Sequence, residues 1–217
     1  MKLLLTSNGL TTPPIRQEFL RLVAKPINEI TIAFIPTAAD PEPAEGLFQK
    51  VIDGVKYWGD MAVKEATLQG TKKVDVIDLK KFAPQELLSV LEKYDVIWVN
   101  GGNTFYLLHW AKKSGFMKVI HQLLEKGKVY VGSSAGTILA GPTIEVAGWK
   151  GVDDPNIVEL ENLIALKLVD FHIFPHFAPF WKKIVEQETA KLKESFYILS
   201  NAQAISVEGK AVKLIDG

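Results

Sequence analysis

The chain contains no cysteine. Disulfides, thiolate nucleophiles and cysteine-based zinc or iron–sulfur centres are therefore excluded, so any covalent catalysis must use another side chain. An excess of charge is also lacking: 25 Lys plus Arg face 25 Asp plus Glu. Nothing global points to nucleic acid or to an anionic membrane surface. Long apolar runs are missing too. The opening run Leu3-Leu4-Leu5 is too short for a signal peptide, and no stretch approaches the ~20 apolar residues of a spanning helix. The expectation is a cytoplasmic protein without nucleic-acid or membrane partners; a homodimer stays open. What is present is 217 residues, 47% hydrophobic and 23% charged, an ordinary globular composition long enough to bury most of its unfolded surface. One α/β domain over residues 1–217 is expected, with no repeat or interdomain linker.

The strand signals are short apolar runs without polar alternation. They cover Lys2–Thr6, Ile30–Ile35, Val74–Leu79, Val96–Val99 and Val129–Val131. Such runs suit strands buried on both faces of a parallel sheet. Helical spacing lies between them: Phe19, Leu20 and Val23 after Pro13-Pro14; Leu47, Val51, Val55 and Trp58; Leu87, Leu88 and Leu91 after Pro84; and a helix opening at Asn103 or Thr104. Alternating strands and helices predict a doubly wound, mostly parallel sheet with helices on both faces. Past Gly141 the pattern changes. Gly148–Asn156 reads as a loop, Phe171–Phe174 as a strand, and Pro179 as the start of a helix carrying Trp181, Ile184, Val185, Glu188 and Leu192. Tyr197–Leu199, Ala204–Val207 and Val212–Ile215 read as closing strands, with a hairpin turn at Glu208-Gly209-Lys210.

The strongest chemical signal is Gly132-Ser133-Ser134-Ala135-Gly136. It follows a strand and precedes the helix-compatible run Thr137–Ala140. A nucleophile in Gly-x-Ser-x-Gly sits on a strained strand–turn–helix corner that needs small neighbours. The central position makes Ser134, not Ser133, the candidate nucleophile, with the backbone N–H of Ala135 placed to hold an oxyanion. The structural alternative is a turn that only binds an anion or only reverses the chain. A second glycine turn, Asn100-Gly101-Gly102-Asn103-Thr104, follows another strand, at the edge where open α/β sheets bind ligands. Gly101 or Gly102 is the candidate second oxyanion donor. Asn103 is either a helix cap or a substrate contact.

Ser134 needs a base. Of four histidines, His109 and His121 lie in predicted helices and His172 lies inside a strand. His176, in Pro175-His176-Phe177 just past that strand, is the candidate. For the group that orients the imidazole, Asp153, Asp154 and Asp170 are available, as is Asn201 after the Tyr197–Leu199 strand. An amide can hold a histidine tautomer, though it stabilises an imidazolium less well than a carboxylate. Asn201 is preferred because a strand end positions a side chain better than the Gly/Pro-containing loop that carries Asp154, the alternative.

These residues resemble those of the peptidase family that contains aspartyl dipeptidase (peptidase E) and cyanophycinase. The likeness runs through Leu3-Leu4-Leu5-Thr6-Ser7-Asn8, Phe34-Ile35-Pro36-Thr37-Ala38, Gly101-Gly102-Asn103-Thr104-Phe105, Tyr130–Gly136, Pro142-Thr143-Ile144, Leu168–Phe171 and Pro175-His176-Phe177. It implies a fold similar to class I glutamine amidotransferases, a nucleophile at Ser134, a base at His176, an oxyanion contribution from the glycine turn, and no metal or cofactor. The chain departs from the aspartyl dipeptidases in two places. They carry an acidic residue where this chain has Asn201, and an arginine where it has Glu145. Glu145 is thus a candidate substrate contact that would not favour an N-terminal aspartate. The expected activity is that of a serine-type peptidase or amidase, dipeptidase-like or otherwise exo-acting, working on a small peptide or amide through an acyl-enzyme. The alternatives are an esterase using the same groups and a weakly active or non-catalytic relative that binds a small ligand.

Overall fold

A computed structural model describes residues 1–39, 70–149, 154–191 and 194–217. The helix expected around Leu47–Trp58 lies outside the described residues, as does Leu192. In chain order the main elements are β1 (Lys2–Thr6), α1 (Pro13–Val23), β2 (Thr31–Ile35), β3 (Lys73–Val76), α2 (Pro84–Leu91) and β4 (Val96–Val99). They continue with α3 (Thr104–Lys113), α4 (Phe116–Glu125), β5 (Val129–Ser133), α5 (Ala135–Leu139) and β6 (Phe171–Phe174). The last are α6 (Lys182–Thr189), β7 (Ser195–Ile198), β8 (Gln203–Glu208) and β9 (Ala211–Asp216).

Seven strands form one sheet in the order β3-β2-β4-β5-β1-β8-β9. The first five are mutually parallel, while β8 runs antiparallel to β1 and β9 to β8. In β1, β2, β4 and β5 the apolar runs have a direct cause, since both faces are covered and almost no residue of either parity meets water. β3, from the Val74–Leu79 run, departs from that expectation, because it is the edge strand and exposes Lys73 and Val76. Leu3 and Leu5 of β1 point into the core shared with α2, α3, α4 and α5. Leu4 points the other way, onto Ile15, Phe19 and Leu22 of α1. Helix α1 opens on Pro13-Pro14, where a missing N–H costs nothing. It stops at Ala24, whose left-handed backbone (φ 54°) returns its N–H to the Leu20 carbonyl.

β6 and β7 do not join the main sheet. They pair with each other in parallel, with Phe174 opposite Ile198. Strand patterning cannot distinguish this arrangement, because pattern reports burial and not partner. Pro179 opens a 3-10 turn over Pro179–Trp181, and the α-helix itself begins at Lys182. The aromatic side chains of this region stack inward: Trp149 lies against Phe174 and Phe196, with ring centroids 5.7 and 5.4 Å away.

Candidate active site

β4, β5 and β1 are neighbours, and their carboxyl ends deliver three turns to one edge of the sheet. Ser134 follows β5 with φ 52° and ψ −111°. A side-chain-bearing residue in that region carries about 1–3 kcal/mol of strain. The turn is held by the sheet beneath it, for the Ser134 N–H donates to the Thr6 carbonyl at 3.2 Å and Thr137 Oγ1 donates to the same oxygen at 2.7 Å. The flanking glycines have no room for a side chain. A Cβ on Gly136 would lie 2.1 Å from the Val99 carbonyl oxygen, and one on Gly132 would lie 2.8 Å from the Gly136 carbonyl. We therefore expect Gly136→Ala to destabilise the fold by about 3 kcal/mol, the upper part of the overpacking range. Thermal unfolding should show this as a Tm lowered by about 6–12 °C for a chain of this size. An unchanged Tm would mean that the Val99 contact is not as tight as described.

The two serines of the motif face different surroundings. Ser133 is buried and its Oγ accepts from Trp98 Nε1 at 3.0 Å and from Thr6 Oγ1 at 3.2 Å. Ser134 is half-buried, and among the described residues its Oγ makes no hydrogen bond. The second glycine turn comes up against it, since a Cβ on Gly101 would lie 2.9 Å from Ser134 Cβ. Among the described residues, the N–H groups of Gly101, Gly102 and Ala135 donate to no protein acceptor. Backbone donors thus flank Ser134 from two turns.

Asn103 and Asp154 are engaged elsewhere. Asn103 Oδ1 accepts the Tyr106 N–H at 2.8 Å, capping α3, and its Nδ2 donates to the Pro155 carbonyl at 2.9 Å. Asp154 Oδ2 accepts the Thr104 N–H at 2.8 Å and the Thr104 hydroxyl. Burial raises the Asp154 carboxyl above the usual range, partly offset by those two bonds. Asp154 therefore serves the first turn of α3, and Asp153 lies outside the described residues. Asp170 immediately precedes β6, at its amino end, where it lines a cavity of about 770 Å³ with Lys167, Glu194 and Lys210. Glu145 is exposed at the start of a 3-10 turn, Glu145–Gly148.

Two strand ladders bring His176 and Asn201 together. The parallel pairing of β6 with β7 continues past the strands, through Leu199 N–H to Phe174 O and Phe177 N–H to Leu199 O, both at 2.9 Å. His176 and Asn201 consequently leave the small sheet side by side, and His176 Nδ1 lies 2.6 Å from Asn201 Oδ1. The pairing of β8 with β1 then places the end of β1 beside the same point. Ser7, which the sequence analysis does not single out, accepts the His176 N–H on its Oγ at 2.7 Å. Its hydroxyl lies 3.4 Å from Asn201 Oδ1 and 3.5 Å from His176 Nδ1. The available signal was its position at the carboxyl end of β1, on the same sheet edge as both glycine turns. His176 has a left-handed backbone, φ 57°, so its conformation needs such support. No hydrogen bond joins Ser134 to His176 among the described residues. Catalytic hydrogen bonds are often long before substrate arrives.

The other histidines stand apart from this cluster. His121 Nε2 lies 2.8 Å from the Leu166 carbonyl, His172 is buried with Nε2 3.6 Å from Glu194, and His109 has its pKa lowered by burial and by Lys113. Among the described residues no group of three or more His, Asp or Glu side chains is placed to hold a metal, and no helix is long and apolar enough to cross a membrane.

Comparison with known proteins gives a consistent result. The sequence model of peptidase family S51 matches residues 3–215. An uncharacterized peptidase of Pasteurella multocida is 32% identical over 196 residues, covering 88% of this chain and 87% of that protein. Peptidase E of Salmonella typhimurium is 32% identical over 179 residues, 82% of this chain and 69% of that protein. The crystal structure of a candidate peptidase E protein from Listeria monocytogenes EGD-e superimposes with a TM-score of 0.80 at 29% identity, covering 100% of this chain and 98% of that one.

Proposed function

Given that this chain belongs to peptidase family S51, we propose that it is a serine-type exopeptidase or dipeptidase acting through an acyl-enzyme, with Ser134 as nucleophile and His176 as base. The observation that carries this reading is the placement of Ser134. It stands at a strained strand-to-helix corner, flanked by two turns whose backbone N–H groups donate to no acceptor among the described residues. In the proposed cycle Ser134 Oγ attacks the substrate carbonyl carbon while His176 Nε2 takes its proton. The N–H groups of Ala135 and of Gly101 or Gly102 hold the oxyanion. His176 then gives the proton to the leaving amine, and water, deprotonated by the same imidazole, hydrolyses the ester. In this cycle Asn201 Oδ1, at 2.6 Å from Nδ1, receives the Nδ1–H bond, which leaves the Nε2 lone pair as the acceptor for the Ser134 proton.

A library of free dipeptides run against p-nitrophenyl esters tests the reaction class. Dipeptide cleavage is expected to be enzymatic and abolished with Ser134, whereas turnover of esters alone would replace this reading by that of an esterase.

The same library tests substrate preference. Glu145 is exposed beside the segment that follows α5, and a carboxylate facing the substrate repels another carboxylate. Dipeptides with N-terminal aspartate are expected to show kcat/KM about tenfold or more below neutral dipeptides, on the scale of one unfavourable charge contact. Glu145→Arg should narrow that gap. Aspartyl dipeptides as the preferred substrates of the wild type would contradict the assignment.

A further inference from the structure

A carboxylate presents two equivalent acceptors to a histidine; an amide presents one acceptor and one donor. If Asn201 turned its Nδ2 toward His176, Nδ1 would have to accept. The ring proton would move to Nε2, and the imidazole could no longer take a proton from Ser134. Something has to keep the amide oxygen inward. Packing does not, because Asn201 is exposed. The buried neighbour is Ser7, with no accessible surface.

The proton count around Ser7 is restrictive. Its Oγ accepts the His176 N–H at 2.7 Å, so its own proton must go to another acceptor. In the arrangement with the amide oxygen inward, His176 Nδ1 donates to Asn201 at 2.6 Å and so does not accept from Ser7, 3.5 Å away. Asn201 Oδ1, at 3.4 Å from Ser7 Oγ, can. With oxygen inward, the amide receives two donors, Nδ1–H and Oγ–H. With nitrogen inward, an Nδ2–H would take the single lone pair of Nδ1, and the buried Ser7 O–H would have no acceptor among these groups. We infer that Ser7 is a positioning residue that locks the Asn201 amide with its oxygen toward His176 and thereby fixes the Nδ1–H tautomer of the base. This rests on the reading of His176 and Asn201 as a base and its orienting group. The same hydroxyl also supports the left-handed backbone of His176 (φ 57°).

The tautomer can be read without substrate. Long-range ¹H–¹⁵N NMR on ¹⁵N-histidine-labelled protein, with His176 assigned through His176→Gln and the ring neutral, distinguishes Nδ1–H from Nε2–H. The wild type is expected to be Nδ1–H. Ser7→Ala should give a mixture containing Nε2–H, with kcat lowered about tenfold, the worth of one hydrogen bond of about 1.4 kcal/mol, and KM little changed. Ser7→Thr keeps the hydroxyl and should restore both. In the Asn201→Asp background, Ser7→Ala should leave the ring at Nδ1–H, because a carboxylate has no wrong orientation; a purely structural serine would not show this dependence. If Ser7→Ala does not fold, Ser7→Cys, with its weaker donor, is expected to shift the tautomer in the same direction. A folded Ser7 variant whose His176 remains wholly Nδ1–H overturns the inference. A wild-type ring at Nε2–H instead overturns the Asn201 assignment on which it rests, and absence of hydrolysis leaves the tautomer measurement intact.

Discussion

Ser134→Ala is expected to lower kcat by about 10⁴- to 10⁶-fold, the scale on which serine hydrolases lose activity when the nucleophile goes. Folding should be unaffected, because Ser134 Oγ makes no hydrogen bond among the described residues and alanine relieves none of the packing around it. Ser133→Ala is the opposite case. Its Oγ is buried and accepts from Trp98 Nε1 and Thr6 Oγ1. Its loss leaves the buried Trp98 Nε1–H without a partner, while Thr6 Oγ1 keeps the Gly132 carbonyl at 2.8 Å, and should cost about 1–3 kcal/mol of stability while hydrolysis persists. The pair separates nucleophile from scaffold within one motif. Denaturant unfolding and dipeptide hydrolysis on both variants check it. Full activity in Ser134→Ala would remove the mechanism.

Asn201→Asp is expected to raise kcat by about 10- to 100-fold. An ionised acceptor makes a hydrogen bond about twice as strong as a neutral one, and a carboxylate offsets the imidazolium that forms as Ser134 attacks. The gain should fall short of the ~10⁴-fold loss known for the reverse exchange in a serine protease, because that loss arises largely from the wrong tautomer. Here Asn201 Oδ1 already faces Nδ1 at 2.6 Å. Asn201→Ala should lower kcat, since the imidazole loses its orienting group. Asp154→Asn is the control. Asp154 holds Thr104 at the start of α3, next to the glycine turn, so its loss should act through stability and the oxyanion donors. Steady-state kinetics and Tm on all three variants decide the matter. If Asp154→Asn alone abolished turnover while both Asn201 variants behaved as wild type, the third member would have to be reassigned.

The parts of this architecture written locally in the chain are legible there. The apolar runs of β1, β2, β4 and β5 follow from burial on both faces, and prolines mark the starts of α1 and α2. The two glycine turns are legible as glycine-rich composition directly after an apolar strand, although what excludes a side chain is mostly remote, Val99 at Gly136 and Ser134 at Gly101. Asn103 shows the limit of local reading. Its residue type fits both a cap and a substrate contact; the cap to Tyr106 is local, but its bond to Pro155 depends on where a residue 52 positions away comes to lie. β6 and β7 were readable as strands but not as a separate sheet, since period and apolarity carry no partner information. The role of Ser7 was hidden for a related reason, although its place at the end of β1 was legible. Its neighbours His176 and Asn201 are 169 and 194 residues away, joined to it only through the β1–β8 and β6–β7 ladders.

The most direct measurement is intact-protein and peptide mass spectrometry after treatment with a fluorophosphonate, which requires an activated serine and its base but no knowledge of the substrate. The account predicts a single phosphonyl adduct on Ser134 in the wild type, none in Ser134→Ala, strongly slowed labelling in His176→Ala, and unchanged placement of the adduct in Ser133→Ala. A folded wild-type protein that takes up no adduct, or takes it up on Ser133 or elsewhere, would contradict it.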